Sequence, residues 1–325
     1  MFGGYGVSDA VKSDDVILPF AVEALDIRGR AVRLSQSFDT IVRLHKYPPQ
    51  VCRAIGEGLA LTALLGSALK LDGRFQLQTR TDGVISQIVV DFDAPDRLRA
   101  YARYDSARLS QMDHATTAEL LGKGHLGLTI DQGGDMSRYQ GIVVLNGEGF
   151  ETAAHHYFDQ SEQIPTLIRL AVAENISPHA ATWRAGGLMV QFLPHSEDRK
   201  RQRDLAPGDH PAGVAATDEV EDDAWAEARA LVNTVEDHEL VDPLLTNEHL
   251  LYRLFHERGA TVFEPQSVRQ ACRCSRPSIL TMLSGFSAQE RHDMVESNGK
   301  IGITCEFCSS HYEIALSEIP ASEPL

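Results

Sequence analysis

Four of the five cysteines of this chain fall in two tight pairs near its C-terminus, Cys272-Arg273-Cys274 and Cys305-Glu306-Phe307-Cys308. One divalent metal, or two short disulfides, requires such clustering, whereas the isolated Cys52 reads as a small buried apolar group. Two pairs separated by 30 residues supply four thiolates, a tetrahedral zinc shell. His311 could compete as a ligand, but four nearby thiols already complete the shell. A thioredoxin-type redox site needs Cys-x-x-Cys opening a helix after a strand. The second pair instead lies between two predicted strands, which disfavours that chemistry. A purely structural staple is the bland alternative, since some fifty residues are too few to fold alone. A function is favoured by the neighbourhood. The cysteines adjoin a charged, marginal linker, and removing zinc costs on the order of 10 kcal/mol of apparent folding free energy.

Other chemistry-bearing residues have plainer readings. His155-His156 has no acidic or cysteine partner at ligand spacing, so a surface or packing role is expected. Gly122-Lys123-Gly124 and Gly133-Gly134 lack the strand-to-helix context of phosphate loops and read as turns.

The whole chain narrows the classes further. Its 325 residues hold 30 Lys and Arg against 46 Asp and Glu, a net charge of −16. That balance opposes a phosphate-backbone binder, which needs a basic surface to release counterions. Residues 1–15 carry no basic start followed by an apolar core and read as a disordered tail. The most apolar run, Leu59 to Leu69, is well short of the roughly 20 residues that span a bilayer. The expected location is therefore cytoplasmic, with no membrane or nucleic-acid partner. In that compartment thiols stay reduced, and paired cysteines hold metal or sense redox more often than they staple.

Three units follow the tail. Residues 16–195 read as an α+β domain. Gly73 to Asp105 alternates apolar and polar residues between turn signals, a meander of antiparallel strands continued by Leu126 to Ile130 and Tyr139 to Leu145. Helices are expected at Phe38 to His45, Pro49 to Lys70 and Thr152 to Gln160, packed on one side of the strands. Residues 196–259 form a charged connection with two amphipathic helical stretches, Asp218 to Val235 and Asn247 to Arg258. From Glu197 to Gly259 there are sixteen acidic and seven basic side chains, so the segment repels itself and must dock its apolar stripes to stay ordered. Residues 260–325 form a small C-terminal unit. It contains a short strand at Val262-Phe263, a capping box at Ser287 to Glu290, and two strands flanking the turn of the second cysteine pair.

At this level the chain resembles a known family. Phe263-Glu264-Pro265 leading to Cys272-Arg273-Cys274-Ser275-Arg276, with Cys305-Glu306-Phe307-Cys308 before His311-Tyr312, is similar to the zinc centre of the redox-regulated bacterial chaperones called heat shock protein 33. Arg138 to Gly141, Tyr157-Phe158, Ser161 to Thr166, Ala185 to Met189 and Leu251 to His256 extend the likeness over most of the chain. Ser309 departs from it, standing where glycine is common, and Arg199 to Ala216 looks like a longer link than usual. The resemblance implies a holdase, not an enzyme, that works without ATP turnover. It implies one Zn2+ on Cys272, Cys274, Cys305 and Cys308 in a reduced, inactive state. It further implies that oxidation forms disulfides Cys272-Cys274 and Cys305-Cys308, expels zinc, unfolds the linker and exposes surface for unfolded client proteins, with homodimerisation. Within the linker, Trp225, Leu231, Val235, Leu250, Leu251, Leu254 and Phe255 are the candidate client-binding residues. A zinc-ribbon nucleic-acid or ribosome-associated protein and a thiol oxidoreductase are the competing readings.

Overall fold

The computed structural model describes residues 14–69, 73–132, 138–176, 181–193 and 222–320. The expected tail up to residue 13, the Gly133-Gly134 turn and the Arg199 to Ala216 link lie outside the described residues. Asp14 and Asp15, assigned to the tail from sequence, are anchored. Asp14 pairs with Arg184, and Asp15 accepts hydrogen bonds from the backbone N–H groups of Ser35 and Ser37.

Two sheets and one long helix form the N-terminal body. Strands β1 (Val16–Val22) and β2 (Ile27–Leu34) precede helices α1 (Gln36–His45) and α2 (Pro49–Ala68). The expected meander follows as β3 (Arg74–Thr81), β4 (Ile85–Asp93) and β5 (Arg97–Tyr104). Short helices α3 (Ser106–Leu109) and α4 (Thr117–Leu121) lead to β6 (Lys123–Asp131) and β7 (Tyr139–Asn146). Helix α5 (Phe150–Tyr157) precedes the long hairpin of β8 (Thr166–Ile176) and β9 (Ala181–Phe192). One sheet runs β1-β2-β9-β8 and the other β5-β4-β3-β6-β7, with neighbours in each antiparallel.

Helix α2 is apolar on almost every side, so it must be covered all round. It packs against β2, β8 and β9 of the first sheet and against β3, β4 and β5 of the second. The expectation of helices on one side is thereby corrected, because a helix with no polar face cannot border solvent. Close approach requires missing side chains: a Cβ at Gly56 would stand 2.8 Å from Val172, and one at Gly66 would stand 2.8 Å from Phe92. By length and composition α2 could also cross a membrane, but here 78% of its most apolar window is buried in protein.

The β8-β9 hairpin is not legible as strands in the sequence. Strand β9 is buried along nearly its whole length, so it lacks the alternation of a half-exposed strand. Its second face is covered by the linker helices α6 (Asp223–Asn233), α7 (Asp237–Val241) and α8 (Asn247–Phe255). Caps start two of them: the Asp222 carboxylate accepts from Ala224 N–H, and Thr246 Oγ1 from His249 N–H. Their apolar stripes join Leu18, Phe20, Leu188, Val190 and Phe192 in a second core. Ring centroids of Trp225 and Phe192 lie 6.0 Å apart, and those of Phe255 and Phe20 lie 5.9 Å apart.

Polar anchors fix the docking. Buried Arg33 on β2 donates to the Glu239 and Asp242 carbonyls, each at 2.6 Å, and to Asn247 Oδ1 at 3.1 Å. Arg184 on β9 donates to the Val241 carbonyl at 2.8 Å. At Gly186 the backbone of α7 comes so near that a Cβ would meet the Leu240 carbonyl oxygen at 2.1 Å.

After Gly259 an extended strap crosses both sheets. Strands β10 (Thr261–Val262) and β11 (Gln266–Ser267) pair antiparallel with β1, and β12 (Arg269–Gln270) pairs parallel with β5. The C-terminal unit then folds as α9 (Arg276–Ser284), α10 (Ala288–Asp293) and the hairpin β13 (Ile301–Thr304) and β14 (His311–Ile314). Among the described residues, its own core holds Ile279, Leu283, Ile301, Ile314 and Ile319 as buried residues.

Candidate metal centre

Local structure brings the two cysteine pairs together. Cys272 closely follows β12, and Cys274 precedes Ser275, whose hydroxyl caps α9 by accepting from Ser278 N–H at 3.3 Å. Helix α9 is absent from the sequence-based expectations, although Ser275 followed by Pro277 is a helix-start signal. Cys305 and Cys308 occupy the turn of the C-terminal hairpin. Cys305 N–H donates to the Ser310 carbonyl, and Ser309 N–H donates to the Cys305 carbonyl. Ser309 adopts φ 55, a left-handed conformation that favours glycine and costs another residue roughly 1 kcal/mol. The departure from glycine is offset in part by contact, since Ser309 Oγ lies 3.1 Å from His45 Nδ1.

The four Sγ atoms all lie within 4.8 Å of one another. Two contacts cross the pairs, 3.7 Å between Cys272 and Cys305 and 3.2 Å between Cys274 and Cys308. A tetrahedron with Zn–S bonds of about 2.3 Å has edges of about 3.8 Å, so the donor set suits zinc in both chemistry and size. His311 is engaged elsewhere, its Nδ1 2.9 Å from Thr304 Oγ1.

The thiols differ in acidity. Burial and its sulfur neighbours push Cys274 up to about 12. Burial acts on Cys308 in the same sense, but hydrogen bonds with Ser310 and with the neighbouring Cys274 and Cys272 thiols outweigh it and bring the group down to about 7. A divalent cation among the sulfurs would hold all four as thiolates. Cys52, buried in the large core, is pushed up to about 12 and stays a protonated thiol.

Residues of the N-terminal body complete the site, and sequence reasoning missed them. The Phe307 ring stands edge-on to Tyr101 at 4.8 Å, and the Arg99 guanidinium carbon lies 3.9 Å from its centroid. Arg99 Nη1 also reaches Cys272 Sγ at 3.9 Å. Fully buried Asp91 accepts from Arg99 Nε at 2.8 Å and from Gln76 Nε2 at 2.7 Å. Arg273, between the first two cysteines, pairs with Asp93 at 3.2 Å. His45 Nε2 lies 3.2 Å from the Phe307 carbonyl, so Nε2 carries the hydrogen and Nδ1 accepts from Ser309. Local signals existed only in part: an arginine and a phenylalanine within the cysteine pairs, with no hint of their partners.

The candidate client-binding residues are covered in this state. Trp225, Val235, Leu250, Leu251, Leu254 and Phe255 are buried against the first sheet, and Leu231 is partly buried beside them. His155 has a packing role, its Nε2 accepting from Ile168 N–H at 2.9 Å.

Comparison with known proteins places this geometry in a lineage. The family model described as Hsp33 protein matches residues 15–315. The 33 kDa chaperonin of Caulobacter vibrioides is 39% identical over 305 residues, covering 93% of this chain and 95% of that protein. The 33 kDa chaperonin of Shewanella sediminis is 32% identical over 309 residues, covering 95% and 96%. The crystal structure of the 33 kDa chaperonin (heat shock protein 33 homolog) from Thermotoga maritima superposes with a TM-score of 0.71 at 18% identity. It covers 94% of this chain and 96% of that one, a likeness of fold. With relatives this similar along nearly their full lengths, and the family's pattern running from the first strand to the final hairpin, the chain belongs to the Hsp33 family of chaperones.

Proposed function

We propose that this chain is a cytoplasmic, redox-regulated holdase that suppresses aggregation without ATP. The supporting observation is the meeting of four thiols in a chain whose linker helices bury their apolar stripes on the N-terminal body. In this reading residues 16–195 form the chaperone domain, 196–259 the conditional linker and 260–325 the redox switch. Cys272, Cys274, Cys305 and Cys308 would hold one Zn2+, which knits together a unit with too small a core to fold unaided.

Oxidation supplies the trigger. A thiolate attacks a peroxide, releasing hydroxide and becoming a sulfenic acid. A neighbouring thiol then displaces water to close the disulfide. Each bridge consumes one peroxide and two thiols. Closure within the pairs, Cys272-Cys274 and Cys305-Cys308, spans only one or two intervening residues, and it takes the donors away from the metal. The unit then loses its fold, the linker loses its neighbour, and its excess carboxylates favour release from the sheet. The surface uncovered, including the seven linker residues named above, meets unfolded proteins, and the oxidised chain pairs with a second copy. An acidic surface gives nucleic acid and anionic membrane little to hold.

Hydrogen exchange with parallel aggregation assays tests this. Residues 223–255 should be protected in the reduced protein and exchange rapidly after peroxide, as suppression of citrate synthase aggregation rises. Continued full protection of that segment in an active oxidised protein would remove linker release from the mechanism. Peptide mapping distinguishes bridges within the pairs from bridges across them.

A further inference from the structure

The strap of residues 261–271 is held chiefly by its main chain. Phe263 N–H donates to the Pro19 carbonyl at 2.9 Å and Val268 N–H to the Asp15 carbonyl at 2.8 Å. Arg269 N–H donates to the Asp96 carbonyl at 2.8 Å and Ala271 N–H to the Leu98 carbonyl at 3.1 Å. Its side chains add two polar contacts, Gln266 Nε2 donating to the Pro95 carbonyl and Arg269 Nε to Asp96 Oδ2 at 2.7 Å, while Thr261, Val262, Phe263, Glu264 and Ser267 are exposed. Val268 is its buried apolar side chain, set in the large core at the crossing between the sheets. The strap thus covers the outer edges of β1 and β5, which without it would present unpaired backbone groups.

Both ends of the strap depend on structures proposed to be conditional. At its start, the short link His256 to Ala260 joins it to the end of α8 at Phe255. At its finish, Ala271 adjoins Cys272. Loss of the metal centre frees one anchor of the strap, and release of α8 frees the other.

We propose that the edges of β1 and β5 under this strap are the site at which an extended segment of an unfolded polypeptide is captured by strand addition. The proposal rests on the redox-holdase reading above and specifies where its clients bind. The present occupant argues for the next one: an extended chain, antiparallel on β1 and parallel on β5, recognised through its backbone, with one small apolar residue at the Val268 position. Backbone recognition tolerates almost any sequence, as a holdase requires. The edge strand β7 of the second sheet, with Ile142 and Val144 exposed, has no further strand paired to it among the described residues in this state, so it is not what the switch uncovers.

The test uses full-length protein and a labelled peptide of the strap sequence, Thr261 to Ala271. The peptide should bind the oxidised protein at least tenfold more tightly than the reduced protein and should displace unfolded citrate synthase. The same peptide N-methylated at the positions of Val268, Arg269 and Ala271 should do neither. Val268→Asp should loosen the strap, and the reduced variant, with β3 to β5 still protected in hydrogen exchange, should keep its zinc and yet bind the peptide. An oxidised protein that suppresses aggregation while ignoring the peptide would overturn the edge site and leave the redox reading standing. Peptide binding that separates a dimer but leaves the client bound would assign the edges to a second copy, and would also overturn it. Absence of anti-aggregation activity after oxidation would strike the underlying reading itself.

Discussion

The N-terminal body and the C-terminal unit reach order by different means. The body encloses α2 between two sheets in a core that runs from Ile17 to Met189 and even takes in Val268. The C-terminal unit buries five isoleucine and leucine side chains around one hairpin and one helix, too little to offset the entropy of some fifty residues. One region stands on apolar burial, and the other must be tied by its thiols. The linker between them has apolar stripes but no core of its own, and it borrows the face of the first sheet. Under the proposed switch, a chemical event at four sulfur atoms would dismantle the linker and the C-terminal unit and leave the body folded.

The largest effect should come from Cys305→Ser. Loss of one donor should remove most of the roughly 10 kcal/mol that the proposed zinc would lend the C-terminal unit. Metal analysis should find less than one zinc per chain, and hydrogen exchange should show residues 272–319 open while β3 to β5 stay protected. Unfolding of the body in the same variant would erase the contrast between the two regions. Cys52→Ser should leave zinc unchanged.

A smaller effect separates the linker from the metal. Arg33→Met leaves the Glu239 and Asp242 carbonyls and the Asn247 side chain without their donor, at a cost of about 3 kcal/mol. Exchange of residues 223–255 should rise by about a hundredfold in reduced protein that still holds its zinc. Unchanged protection would mean that apolar contact alone seats the linker.

The smallest effect lies within the body and depends on pH. Glu57 on α2 is half-buried, and its carboxyl accepts from Thr117 Oγ1 at 2.6 Å. Burial, with Glu151 and Asp237 nearby, raises it from 4.5 to about 7. The folded state therefore prefers the protonated acid. That contribution is full below pH 4.5 and is lost as pH rises through about 7. Glu57→Gln should flatten this slope and stabilise the protein at pH 8 by about 2 kcal/mol in chemical denaturation. An unaltered slope would show that another group sets it.

Local patterns were readable, and distant pairings were not. The cysteine pairs, the β3 to β5 meander and the Ser287 capping box each lie within a few residues, and each has the expected form. Strand β9 hid because burial on both faces removes alternation. The partners Arg99 and Cys272 are 173 residues apart, and Arg33 and Asn247 are 214 apart. No periodicity announces such contacts, so the site's thiols could be named from sequence while the surface that receives them could not.

Gly186 carries a consequence for how such a protein can fail. Its missing side chain is what lets the Leu240 carbonyl settle against β9. A single added methyl there would unseat α7 with every cysteine intact and no oxidant present. Under the proposed switch, harmful variants of this chain therefore include gain-of-function alleles, in which a chaperone held in reserve becomes constitutively adhesive and sequesters healthy proteins in unstressed cells. On that reading selection would preserve the protein's silence as well as its activity, and part of that silence would reside at Gly186, far from the sulfur atoms in sequence.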